Sequence, residues 1–221
     1  MSKTLLPNPV MICFVALAEP KGLEGGTPKY SVSVLIRKDD LVNKKWIDDQ
    51  VAIALAKGKE KYWKGKVPPN LPILGKTPGQ VMRDGDAEQR EDGGTVGPEY
   101  KGCWFFTASS QASRPPILMR RIPVADREPG GPLVEEADPN IFYSGCTVKL
   151  DINLYPFNNV AKGVAAGLNA VIFVKETPRL DGLPTKSAVL AAYTDEGVDE
   201  DEEDVPMTDE EDVPMTDDFN E

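Results

Sequence analysis

The chain contains no histidine. That absence removes histidine general bases, Ser-His-Asp and Cys-His nucleophile systems, and imidazole-ligated zinc from the chemistry open to it. Cysteine is scarce as well: Cys13, Cys103 and Cys146 are an odd number without a CxxC spacing, which points to buried free thiols in place of a disulfide framework or metal knuckle. Long apolar runs are missing. The longest, at residues 10–18, is far short of the ~20 residues of a membrane-spanning helix, and no basic start with a small-residue cleavage site precedes it. The expectation is a soluble, cytoplasmic chain with no membrane partner, no cofactor and no bound metal.

Charge is abundant but unevenly placed. Residues 195–221 carry 15 acidic and no basic side chains, so the net charge of −11 leaves residues 1–194 with 25 basic against 21 acidic groups, a net of +4. We expect residues 1–194 to fold around a single core and residues 195–221 to form a disordered acidic tail. The octet DEEDVPMT occurs at 201–208 and again at 209–216, then DDFNE ends the chain. Two copies of eight residues, half of them acidic, are too short and too charged for a solenoid. The tail is instead a flexible mimic of a phosphate backbone through Asp201, Glu202, Glu203, Asp204, Asp209, Glu210, Glu211, Asp212, Asp217 and Asp218, with Phe219 as an apolar tip suited to a partner's basic-rimmed pocket.

The body reads as mainly β. Residues 10–18 are apolar on both faces and bounded by Pro9 and Pro20, as in a central strand, and in residues 29–38 Tyr30, Val32, Val34 and Ile36 alternate with Ser31, Ser33 and Arg37, Leu35 being the exception. Asp39 or Asp40 caps a helix whose buried stripe is Ile47, Val51, Ala54 and Leu55, ending near Gly58 or Tyr62. Residues 65–102 are rich in Pro and Gly and read as long surface loops. Strands resume at 103–109, in PPILMRRIP, in TVKLDINLYPF and in LNAVIFVKE. Strands with one framing helix and long loops suit a small Greek-key barrel of the OB type, with a sandwich as the alternative.

A basic body with interleaved rings suits single-stranded nucleic acid, which offers bases to stack and phosphates to pair. The first candidate cluster is Lys57, Lys59, Lys61, Tyr62, Trp63, Lys64 and Lys66 at the helix end. The second joins Arg114, Arg120 and Arg121 with Trp104 and Phe105; alternation should bury either Trp104 and Phe106 or Cys103 and Phe105, freeing the other set. The third is Lys149 with Tyr155, the best single stacking candidate, on the polar face of the clearest strand. GPEYKGC and GLPTKS each lack half of a phosphate loop, and Asp84, Asp86 and Glu88 lack the remaining ligands of a calcium hand or two-metal nuclease.

RPP at 114–116, YSG at 143–145, the aromatic-Pro-aromatic Tyr155 to Phe157, and Lys162-Gly163 leading to Leu168-Asn169 together resemble a family of phage single-stranded DNA-binding proteins with an OB-fold. These are packing and turn motifs. The resemblance implies a non-catalytic, sequence-tolerant binder of single-stranded DNA in phage replication or recombination, in the cytoplasm of the infected bacterium, whose acidic tail competes for the DNA groove and contacts phage or host replication proteins. A homodimer is compatible with it. The alternative from another class is an acidic-tailed adaptor or chaperone for basic proteins with the barrel as scaffold; a carboxylate-dependent nuclease ranks third.

Overall fold

Alternating apolar side chains set the frame. In a computed structural model describing residues 4–22, 26–75, 81–87, 96–159 and 161–195, the order is β1 (Val10–Lys21), β2 (Lys29–Arg37), α1 (Leu41–Lys61), β3 (Arg83–Asp84), β4 (Cys103–Gln111), β5 (Ile117–Arg121), β6 (Val134–Glu136), β7 (Thr147–Asn158), β8 (Lys162–Lys175) and α2 (Lys186–Asp195). The sheet runs β3-β4-β2-β1-β7-β8-β5-β6, and β4 pairs again with β8, in parallel, at Ala108–Ala166 and Ser109–Gly167. That second pairing closes β4, β2, β1, β7 and β8 into a barrel. The mainly β architecture with one framing helix agrees with the sequence.

Inside the barrel lie Val32, Val34 and Ile36 of β2, Phe106 and Ala108 of β4, Val148, Leu150 and Ile152 of β7, and Val164, Ala166, Leu168 and Val171 of β8. Each large side chain removed from water contributes about 1.5–3 kcal/mol. Asp40 caps α1, accepting a 3.1 Å bond from the Asn43 amide. Asn43 is fully buried yet satisfied: its Nδ2 donates to Asp40 Oδ2 at 2.8 Å and to the Asn8 carbonyl at 3.2 Å, while its Oδ1 accepts from the Asn8 amide at 3.0 Å. The helix thereby fixes the chain entering β1, and Ile47, Val51 and Ala54 form its buried stripe.

The helix ends at Lys61 with Tyr62 as its cap, one of the two expected ends, and Gly58 does not end it. A Cβ there would fall 2.4 Å from the Trp63 ring and 2.9 Å from Pro156. The glycine is the seat that lets Trp63 fold back against α1 and β7.

The segment read as surface loop is more built than its composition suggests. Leu71, Leu74, Met82 and Tyr100 are buried, and β3 pairs with β4. Residues 96–100 cover part of the barrel's outer face, forming a second apolar cluster of Cys13, Leu35, Tyr100, Cys103 and Phe105 with Met11 and Val96 against it. This explains the break in alternation at Leu35. The three thiols are free and buried as expected; burial pushes Cys13 up to about 12 and Cys146 up to about 11, which keeps both protonated and inert.

The chain divides into two compact units, Met1–Thr185 and Lys186–Glu221. The second contributes α2. Asp195, the first residue of the expected tail, ends α2, and the rest of the acidic tail, Asp201 to Phe219 included, lies outside the described residues.

Candidate nucleic-acid interface

Cross-strand register shows what the barrel presents to solvent. On the outer face of β2 and β4 the opposed pairs are Leu35–Phe105, Ser33–Thr107, Ser31–Ser109 and Lys29–Gln111. The first pair is covered by the second cluster. The next two are short hydroxyl side chains, Ser33 being buried beside Tyr100 and Cys13, so the surface sinks into a shallow trough open at Ser31, Thr107 and Ser109. The parallel pairing extends that floor from Ser109 to Gly167, which in turn faces Asn153 on β7. A Cβ on Gly167 would stand 2.5 Å from Asn153 Oδ1, so the glycine lets the amide lie across β8.

The trough opens at the Lys29 end into a recess of about 280 Å³ lined by Lys29, Gln111, Arg114, Asn153, Tyr155 and Asn169, among others, with no carboxylate in its described lining. Arg114 is exposed, held by a turn in which its amide donates to the Gln111 carbonyl at 2.9 Å. Pro116 behind it is buried. Tyr155 is 38 % exposed. Asn169 is the extra residue of a bulge, since Asp151 faces Ala170 while Ile152 faces Leu168. Its Nδ2 donates to Asp151 Oδ1 at 2.8 Å, and Thr4 Oγ1 donates to Asp151 Oδ2 at 2.9 Å. Ser110 Oγ, also in the lining, is buried without a hydrogen-bond partner among the described residues. Two cations beside a ring and several amides can pair phosphates and stack a base; among the described residues the lining holds no carboxylate or thiol to act as base or nucleophile.

The family model for the single-stranded-DNA-binding protein of Enterobacter phage Enc34 matches residues 3–205. The chain belongs to this family. The solved "Single-stranded DNA-binding protein from bacteriophage Enc34 in complex with ssDNA" is 28 % identical, with 78 % of this chain and 86 % of that one covered and a TM-score of 0.57. Another structure of the Enc34 protein is 25 % identical, with coverages of 82 % and 87 % and a TM-score of 0.55. "Putative protein p50" of Acyrthosiphon pisum secondary endosymbiont phage 1 is 28 % identical over 179 residues, 79 % of this chain and 85 % of its own.

For this member of the Enc34 family the fold gathers some of the sequence candidates and disperses others. Arg114 and Tyr155 meet in the recess. Lys149 shares the face of Tyr155 but stands six residues away, roughly 20 Å along β7. Arg120 and Arg121 are carried off along β5, where Arg120 Nη2 pairs with Glu135 at 2.6 Å. Lys57, Lys59, Lys61, Tyr62, Lys64 and Lys66 are exposed at the end of α1 and just beyond it, outside the recess lining.

Two candidates are corrected. Trp63 is only 5 % exposed, because Gly58 and Pro156 receive it. Phe105 is 2 % exposed under Tyr100, 4.1 Å between ring centroids, because the outer face of β4 is covered as well as the inner one. Trp104 is half-buried against the main core, with Lys44 Nζ 5.4 Å from its ring centroid. Neither set of the proposed alternation is left free.

Sequence reading missed Lys29, Gln111 and Asn153. Their only common signal is pairing across strands distant in the chain.

Of the family motifs, RPP, the aromatic-Pro-aromatic turn and Leu168-Asn169 each give a residue to the recess lining, whereas YSG serves the fold. Gly145 has φ +111°, and a Cβ there would meet the Pro178 carbonyl at 2.4 Å. Tyr143 donates its hydroxyl to the Thr177 carbonyl at 2.8 Å, fastening the chain after β8 to the entry of β7. Asp84 and Asp86 form no metal site among the described residues; each lies 2.7 Å from Lys38 Nζ, which holds both carboxyls below their usual range. Glu88 lies outside the described residues.

Proposed function

We propose that the chain binds single-stranded DNA without sequence preference, on an OB-type barrel, during phage DNA replication or recombination in the cytoplasm of the infected bacterium. The observation that carries this reading is the carboxylate-free recess that sets Lys29 and Arg114 beside Tyr155 at the open end of a hydroxyl-floored trough. Cations there neutralise phosphates, while the ring offers a sequence-independent stacking surface. Family membership and the Enc34 structure with ssDNA support it. Five-strand closure with β4 parallel to β8 supports the OB reading. Titrating the chain with labelled oligo-dT should give micromolar or tighter binding; no retention at low salt would overturn it.

The tail extends the proposal. Its carboxylates compete with phosphate for the basic surface, and Phe219 serves contacts with replication proteins, a reading supported by the division of charge along the chain. Truncation after Tyr193 should tighten oligo-dT binding and admit duplex DNA. Equal or weaker affinity in the truncated chain would remove the competition.

A further inference from the structure

Phe14 sits where a barrel strand has no packing reason to put a phenylalanine. Cys13 faces Ser33 and Ala16 faces Ser31, so β1 carries one extra residue at this point. Within that bulge Phe14 adopts φ +50°, the left-handed region that crowds a Cβ against the following carbonyl. The bulge turns the side chain outward: in an otherwise well-buried apolar strand, Phe14 is 62 % exposed. Its amide donates to Ser144 Oγ at 3.1 Å, holding the bulge in place.

The ring is exposed but not loose. It lies parallel to Tyr100, with centroids 6.0 Å apart and planes 6° apart. Tyr100 leans on Phe105 at 4.1 Å, and the Arg83 guanidinium sits 4.5 Å from the Phe105 centroid. Three rings therefore form a column, braced by a cation at its buried end and open to solvent at Phe14. The column stands on the face that carries the trough. Cys13 is paired with Ser33, four residues along β2 from Lys29, which strand geometry makes ~13 Å, a reach of a few nucleotides.

We propose that Phe14 is a second stacking station for a nucleobase of the strand bound in the recess, so that single-stranded DNA runs from Lys29, Arg114 and Tyr155 over the hydroxyl floor to the open end of the ring column. The assignment rests on the single-strand reading above. The left-handed backbone keeps the ring presented before any ligand arrives, and Tyr100 fixes its plane.

Phe14→Gly tests this, because glycine accepts φ +50° without crowding. The melting temperature should hold or rise, while affinity for an oligo-dT long enough to reach both stations falls about tenfold, the loss of one stacked base. The loss should be equal at low and high salt, and the occluded site should shorten by one or two nucleotides. Phe14→Leu, which keeps bulk without a ring, should bind as weakly as Phe14→Gly. Phe14→Trp should restore affinity and add a fluorescence change on binding oligo-dT beyond that of the unsubstituted chain.

A lower melting temperature for Phe14→Gly with unchanged affinity and site size would make the ring a packing element and overturn the assignment. So would equal affinity of all three variants and the unsubstituted chain. Failure of the unsubstituted chain to bind oligo-dT would instead overturn the single-strand reading itself.

Discussion

The recess mixes two kinds of contact, and salt separates them. Lys29 and Arg114 are exposed cations at its rim, while Tyr155 presents a ring. A phosphate contact on a single strand releases counterions, so each contributes about −0.7 to the slope of log affinity against log salt. Lys29→Gln and Arg114→Gln together should make that slope shallower by about 1.4. Between 50 and 200 mM salt, a change of ~0.6 log units, the double variant's deficit should shrink about sevenfold. Tyr155→Ala should behave differently: losing one stacked base costs ~1–3 kcal/mol, a roughly 5- to 150-fold loss, with an unaltered slope.

Fluorescence anisotropy of labelled oligo-dT across a salt series reads both quantities at once. The reasoning is refuted if the charge variants run parallel to the unsubstituted chain, because the recess cations then touch no phosphate. It is refuted equally if Tyr155→Ala changes the slope and nothing else.

Three further outcomes test the frame that holds the recess. Gly58→Ala should destabilise although alanine is the better helix former by about 1 kcal/mol, since its Cβ would lie 2.4 Å from the Trp63 ring; a higher melting temperature would mean that Trp63 is not seated there. Trp63→Ala should cost ~3–5 kcal/mol, lowering the melting temperature by on the order of 10 °C, while Tyr62→Ala should change it little because that ring is 45 % exposed; similar losses from both would contradict the packing. Cys13 is pushed up to about 12 by burial, so the native state keeps its proton longer than the unfolded one; stability should be independent of this group below pH ~9 and fall as pH rises towards 12, and Cys13→Ala should flatten part of that fall in melting curves recorded between pH 8 and 11.

The elements governed by local pattern were legible. Alternation placed β2 and β7, and Asp40 marked the start of α1 because a carboxylate there meets a free amide. Arg114 and Tyr155 were also readable, one from a run of arginines near aromatic residues and the other from the polar face of an alternating strand. What escaped depends on pairing between distant strands. Lys29 and Gln111 face each other only through the β2–β4 register. The cover over Phe105 comes from a segment whose apolar contribution is chiefly Val96 and Tyr100, too few residues to show a period. Trp63 looked like a surface ring because it lies among the lysines at 57–66, whereas Gly58 makes room for it against the helix. Phe14 was hidden for another reason: one inserted residue reverses the inside and outside of a strand, and alternation carries no trace of where the insertion falls.

The floor of the trough gives a physical reason for tolerance of sequence. Reading a base edge takes side chains that can offer paired donors and acceptors at reach, such as Arg, Asn or Gln. Ser31, Ser33, Thr107 and Ser109 are too short for that, and Asn169 already commits its donor to Asp151. The base-edge capacity of the face is thus concentrated in Gln111, Arg114 and Asn153, at the recess end. The same small side chains restrain stability: valine at Ser31 and Ser109 would suit β2 and β4 better by strand propensity and would bury more apolar surface. It would also fill the trough between Tyr155 and Phe14, so a more stable barrel of that kind would give a bound strand no continuous floor to follow.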